Sequence, residues 1–353
     1  MTIKHIVITG GDHIGLSSLG ILTESYKKKQ WQFENIESVW GTSSGSMIAV
    51  MLCLKMDFET INKYTLERPW SFLSITTEKL INLIGKKGLF GMEEYCEFYR
   101  PLFLSCDLNL NVTMKELYDY SKIELNMLAT ELNDFKTITI NHKTFPDLKV
   151  VEGIMMSSAI PLLIKPVKYN EKYYFDGAIF VNFPIVICHE EKKCEYEEIL
   201  GIRRLKEFTI DHSNTNSINN LIDYIFIFIV KILVYCHKSP DTSMFPNIYI
   251  IDLKEFSLDD LKKLIEPYFR KYLFNYGVNI VTPNEDNNDL SNNDLSNNDL
   301  FVNELSTDIS DNNILSDNII IDDNINIEKN GDTNDCQNTY KKMLENVQND
   351  LII

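Results

Sequence analysis

Ser38-Val39-Trp40-Gly41-Thr42-Ser43-Ser44-Gly45-Ser46 joins an apolar strand-like run to an apolar helix-like one across two glycines. Gly41 and Gly45 bracket Ser43 as G-x-S-x-G, the pattern of a nucleophile elbow. In such an elbow a strand turns sharply into a helix, the serine sits at the strained apex, and the glycines let the two backbones close up without a Cβ clash. The flanks agree with this. Val39-Trp40 is an apolar strand end, and Met47 to Leu54 is an apolar run suited to a buried helix.

Upstream, His5 to Thr9 alternates with apolar residues and runs into Gly10-Gly11, a strand and a glycine turn. Leu16, Leu19, Leu22 and Tyr26 share a helical face, and Ile36 to Trp40 reads as the second strand. The unit is strand, turn, helix, strand, which right-handedness places in a parallel sheet. Both glycine turns then fall at the C-terminal ends of strands, where open α/β sheets bind ligands.

Downstream, helices are predicted at Phe58 to Arg68, Met92 to Phe103, Thr113 to Tyr120 and Val150 to Ser158. The third opens with Thr113 and Glu116 as a capping box. Strands are predicted at Glu124 to Thr130 and Thr137 to Asn141, and Tyr173 to Phe175 leads into Asp176-Gly177-Ala178. Lys87 to Gly91 reads as a loop, Asn247 to Leu253 as a strand, Ser257 to Leu264 as a helix, and Tyr268 to Gly277 as a helix closed by its glycine.

The chain has 353 residues, is 44% hydrophobic and carries a net charge of −17. That charge is uneven. Residues 284–335 carry −13, whereas residues 1–283 carry only −4. The body is near neutral and shows no basic patch for nucleic acid. Within the acidic segment Asn-Asn-Asp-Leu-Ser repeats from Asn287 and Asn292, and such a composition buries too little apolar surface to offset its ordering entropy. Residues 284–335 are therefore expected to be disordered, and residues 336–353 to be a tail with a short helix at Tyr340 to Val347.

Seven scattered cysteines without a CxxC pair indicate reduced thiols. The N-terminus passes straight into a strand with no signal-peptide pattern. An intracellular, cytoplasmic protein is expected, with transient contact to a membrane surface left open. Leu221 to Cys236 is almost wholly apolar but shorter than the roughly 20 residues a membrane span needs, so it reads as a buried packing element in preference to a surface contact or a span.

A serine nucleophile needs a base and dipoles for the developing oxyanion. Asp176, on a tight Asp-Gly turn, offers the first, and the Gly10-Gly11-Asp12-His13-Ile14-Gly15 loop offers backbone N–H groups at a helix start. This ordered trio resembles the patatin-like phospholipases. Further segments extend the likeness in order: Lys87-Gly88-Leu89-Phe90, Lys115-Glu116-Leu117-Tyr118, Leu128 to Asn133, Ser157-Ser158-Ala159-Ile160-Pro161 and Val181-Asn182-Phe183-Pro184.

The resemblance implies a three-layer α/β/α fold with a mainly parallel central sheet. It implies hydrolysis of lipid or phospholipid esters through an acyl-serine, with Ser43 as nucleophile and Asp176 as its direct base. Gly10, Gly11 and Asp12 would form the oxyanion hole, and Gly15, Gly41, Gly45, Gly177 and Ala178 complete the motifs. No cofactor or metal is implied. The domain would occupy residues 5–189, with residues 190–283 as a C-terminal extension of the same globular body.

The loop departs from the family pattern. Asp12 stands where the family has a third glycine, and Ile14 where it has a lysine or arginine. A carboxylate about 5 Å from the oxyanion, at an effective dielectric near 20, would oppose the transition state by roughly 3 kcal/mol. That exceeds a hundredfold in rate. The alternative is an Asp12 turned outward or paired with His13. A catalytically silent, lipid- or partner-binding protein is thus the competing expectation. A dinucleotide loop is disfavoured because strict G-x-G-x-x-G fails at Asp12. A Ser-His-Asp triad would need His189, His212 or His237, but so early an elbow leaves little room for the strands that precede it in that fold.

Overall fold

The computed structural model describes residues 2–11, 14–205, 224–225, 228–229, 240–253 and 262–283. Asp12, His13, most of the Leu221 to Cys236 run, residues 257–261 of the expected Ser257 to Leu264 helix, and everything from residue 284 onward lie outside these. Among the described residues no helix is long and apolar enough to cross a membrane.

The strands are β1 (His5–Ile8), β2 (Ser38–Thr42), β3 (Gly88–Phe90), β4 (Glu124–Glu131), β5 (Lys136–Ile140), β6 (Leu162–Ile164), β7 (Val167–Tyr169), β8 (Lys172–Asp176), β9 (Ile199–Arg204) and β10 (Ile248–Ile251). The helices are α1 (Ile14–Lys27), α2 (Ser44–Cys53), α3 (Phe58–Glu67), α4 (Thr77–Lys86), α5 (Met92–Ser105), α6 (Met114–Ser121), α7 (Val150–Ser157), α8 (Ile185–Lys192) and α9 (Pro267–Val281). The main sheet runs β10-β9-β1-β2-β4-β8-β7, with β5 also paired to β4. Strands β10, β9, β1, β2 and β4 are mutually parallel; β5, β8 and β7 join antiparallel.

Side-chain alternation separates the two faces. Ile6, Ile8, Val39, Leu125, Met127 and Ile202 point into one cluster with Leu19 and Leu22 of α1 and Ile48 and Leu52 of α2. Val7, Trp40, Leu128 and Ile199 point into another with Ile185 and Cys188 of α8. A sheet buried on both faces by helices is the three-layer α/β/α architecture.

The segment Lys87 to Gly91 holds β3, which pairs in parallel with β6, where the sequence reads as a loop. Three residues carry too little periodicity to reveal a strand whose partner lies over seventy positions away. Gly277 likewise does not close its helix, which continues to Val281. It is buried where α9 crosses α1: a Cβ at Gly277 would overlap the Ser17 carbonyl, and one at Gly20 the Phe274 carbonyl. The Ser17 hydroxyl completes the crossing by donating to Leu273 O at 2.7 Å.

At the opposite end of the sheet from Ser43, the buried Glu124 begins β4 and accepts from Lys143 Nζ at 2.5 Å and from Lys192 Nζ. Burial alone would raise its carboxyl, but the two lysine hydrogen bonds outweigh it and hold the group at about 2. A depressed carboxyl contributes stability above its unfolded value, near 4.5, that is lost as pH falls toward about 2. Glu124→Gln should cost about 2 kcal/mol at neutral pH, a figure discounted because Lys143 is exposed. Urea melts at pH 7 and pH 3 should show the wild type losing more than the variant on acidification.

Candidate active site

Strand β2 ends at Thr42 and helix α2 begins at Ser44, so Ser43 is the single residue between them. Its backbone has φ 53° and ψ −124°, a conformation that costs a non-glycine residue on the order of 1–3 kcal/mol. The flanking glycines make the turn sterically feasible. A Cβ at Gly41 would lie 2.5 Å from the Gly45 carbonyl carbon, and a Cβ at Gly45 would overlap the Ile8 carbonyl.

The strained turn is held by hydrogen bonds. Ser43 N–H donates to Ser157 O at 3.2 Å and to Ser157 Oγ at 3.1 Å, and Ser157 Oγ in turn donates to Leu128 O at 2.6 Å. Ser46 Oγ donates to Ser43 O at 2.6 Å. The serine side chain is thus carried by backbone fixed at both peptide groups.

Asp176 ends β8 and is buried. Sheet register brings it toward Ser43: Thr42 pairs with Leu128 on β4, and the next β4 residue, Ala129, pairs with Asp176. Asp176 Oδ1 accepts from Ala178 N–H at 2.8 Å, its N–H donates to Ala159 O at 3.1 Å, and its carbonyl accepts from Thr130 Oγ1 at 3.0 Å. The three residues Ser157 to Ala159 therefore hold both ends of the expected dyad. Ser158 Oγ also bonds the Tyr95 hydroxyl at 2.6 Å, linking that segment to α5.

The glycine loop is fixed by Asn182. Gly10 N–H donates to Asn182 O at 3.1 Å, and Asn182 Nδ2 donates to Gly10 O at 3.2 Å. The Gly10 amide, which the resemblance implies as an oxyanion donor, is thus engaged by Asn182. Gly11, with φ 141°, follows it, and Asp12 lies outside the described residues. Ile14, where the family carries a cation, is fully buried in the main core, and Gly15 packs beside Ser44.

Ser43 opens on an apolar cavity of about 180 Å³. Ser44, Met47, Ile48 and Met51 line it from one face of α2, at helical spacing that carries the cavity roughly 10 Å along the helix from the serine. Phe90 and Leu163 also line it. At the end of α3 the buried Arg270 guanidinium donates to Leu66 O, Arg68 O, Leu264 O and Ile265 O and sits 4.8 Å from the Trp70 ring, another lining residue.

The described histidines lie away from this geometry. His5 Nδ1 bonds Ser38 Oγ at 2.8 Å at the start of β2, His142 stacks on Tyr118, and His189 stacks on Tyr196. His13, His212 and His237 lie outside the described residues. Among the described residues no cluster of His, Cys, Asp and Glu could hold a metal.

The roles of Ser157 and Asn182 escaped the sequence. Their segments stood out as family-like, but no spacing rule links a serine to a peptide group 114 residues away.

Comparison with known proteins places the chain among relatives. A protein of Invertebrate iridescent virus 6, named as probable lipid hydrolase 463L, is 27% identical over 190 residues, covering 52% of this chain and 62% of its own length. The chain thus spans less than two thirds of that relative. An uncharacterized protein of Acanthamoeba polyphaga mimivirus, R571, is 24% identical over 296 residues, which is 79% of this chain and 92% of that protein. The crystal structure of VipD from Legionella pneumophila aligns over 78% of this chain and 67% of that one at 16% identity, with a TM-score of 0.43. The family model for patatin-like phospholipases matches residues 6–189, more than half of the chain and the span that holds Ser43, Asp176 and their ties, and the protein belongs to that family.

Proposed function

We propose that the protein hydrolyses carboxylic esters of lipids or phospholipids through a Ser43–Asp176 dyad and an acyl-serine intermediate. The observation that supports this reading is the strained Ser43 turn opening on an apolar cavity, with Asp176 paired to Ala129, one β4 residue beyond the partner of Thr42.

Asp176 takes the Ser43 hydroxyl proton as Oγ attacks the ester carbonyl, then returns it to the leaving alcohol. Water repeats the sequence on the acyl-serine. Ala178 N–H at Oδ1 keeps the carboxylate oriented. With the Gly10 amide engaged by Asn182, the oxyanion falls to the N–H groups of Gly11 and Asp12 and to the N-terminus of α2, whose dipole favours negative charge there. The apolar cavity receives the acyl chain and excludes water from it.

The buried Ile14 favours one competing reading, a catalytically silent lipid-binding protein whose loop has lost its cation. A fluorophosphonate probe separates the two, because only an activated serine labels. Labelling mapped to Ser43 by mass spectrometry is the expected result; an unlabelled, folded protein would refute the hydrolase. Asp12→Gly should raise labelling at least tenfold, a change of about 1.4 kcal/mol or more in the barrier. An unchanged rate would show the Asp12 carboxylate to lie away from the oxyanion.

A further inference from the structure

We propose that the outer face of α4 seats the protein on an anionic lipid surface, with the cavity mouth turned toward that surface. The proposal rests on reading the cavity as a lipid site.

Helix α4 splits its apolar residues between two faces. Leu83 is buried with Leu89, Phe90 and Leu163, whereas Leu80 is 42% exposed and Ile81 77% exposed. Exposed apolar side chains are ordinary by themselves. Position distinguishes these. Lys79, one residue before Leu80, pairs with Glu94 at 2.9 Å, donates to Phe72 O at 2.9 Å and lies 4.5 Å from the Phe90 ring centre. Glu94, Phe72 and Phe90 all line the cavity that contains Ser43. One side chain therefore fastens α4 to three residues of the cavity lining.

Charge points to the occupant. Thr77 to Lys87 carries Lys79, Lys86 and Lys87 against Glu78 alone, a local excess of two positive charges on a body whose balance is −4. Lys79 is engaged with Glu94, whereas Lys86, the last residue of the helix, and Lys87, just beyond it with Nζ 5.5 Å from the Tyr173 ring centre, are both exposed. An outward apolar pair beside exposed lysines on a short helix is the pattern of an interfacial element. The apolar groups enter the headgroup region and the lysines meet anionic lipid. A helix of ten residues with two exposed apolar side chains gives weak, reversible attachment, suited to an enzyme that must leave one lipid for the next.

The test uses the full chain and sedimentation with vesicles of phosphatidylcholine alone or mixed with phosphatidylserine, together with hydrolysis of a water-soluble short-chain ester. Binding to the mixed vesicles should exceed binding to phosphatidylcholine. Ile81→Asp should weaken it tenfold or more, and Lys86→Gln or Lys87→Gln about fivefold each. Soluble-ester hydrolysis should be unchanged in all three variants. Equal vesicle binding by wild type and Ile81→Asp would overturn the proposal, as would a wild type that binds neither vesicle. An Ile81→Asp variant that dissociates an oligomer while binding vesicles normally would assign the face to a second copy of the chain and overturn it too. A wild type that cleaves no ester yet binds vesicles through α4 would refute the hydrolase reading and leave this one standing.

Discussion

Ser43→Ala should lose ester hydrolysis by a factor of about 10⁴ or more and all fluorophosphonate labelling, with an unchanged melting curve. The size follows from removing the atom proposed to form the acyl intermediate, which would leave only binding and oxyanion stabilisation. The unchanged fold follows from geometry: the bonds that hold the elbow run through Ser43 N–H and Ser43 O, and alanine keeps both. Asp176→Asn should lose about 10³ or more, since an amide accepts no proton, while its Oδ1 can still receive Ala178 N–H. The double variant should be no worse than Ser43→Ala alone, because residues acting on one proton do not contribute independently. Additive losses would show that Asp176 is not the base of Ser43. Wild-type turnover by Ser43→Ala would end the dyad reading.

Gly277→Ala should destabilise the protein by about 3 kcal/mol or more, read as a lower urea midpoint. Helix propensity alone predicts the opposite sign, since alanine is favoured over glycine by about 1 kcal/mol in a helix interior. Packing outweighs propensity here, because the added Cβ would overlap the Ser17 carbonyl, a backbone group that cannot turn aside without displacing α1 from α9. Gly85→Ala is the matched control. Gly85 lies exposed in α4 with open space around an added Cβ, so it should follow propensity and gain about 0.5–1 kcal/mol. Two gains of equal sign would show that the α1–α9 crossing is looser than the structure places it.

These two cases mark how far the sequence was legible. The elbow could be read because its requirement is local: the glycines that allow the turn stand two residues either side of the serine. The Thr113–Glu116 capping box was equally local and is present, Thr113 Oγ1 accepting from Glu116 N–H at 3.2 Å and Thr113 N–H donating to Glu116 Oε2 at 2.8 Å. Gly277 reads as a helix end in sequence because its reason lies in another helix. β3 was missed because its pairing partner is β6, and β9 because a strand buried on both faces lacks polar alternation. At the site, Ser43 and Asp176 stood out by type and motif. The engagement of Gly10 by Asn182 could not, since backbone donors look alike in sequence whatever they bond.

The segment Ser157 to Ala159 has a mechanical consequence. It receives the N–H of Ser43 at one end and the N–H of Asp176 at the other, and from its middle residue reaches Tyr95 in the cavity wall. The proposed nucleophile and base are thus tied to one three-residue span, and a displacement of that span would carry both together. A chain entering the cavity and pressing on Tyr95 would push that span as a unit, so substrates of differing bulk would leave the spacing of Ser43 and Asp176 little changed.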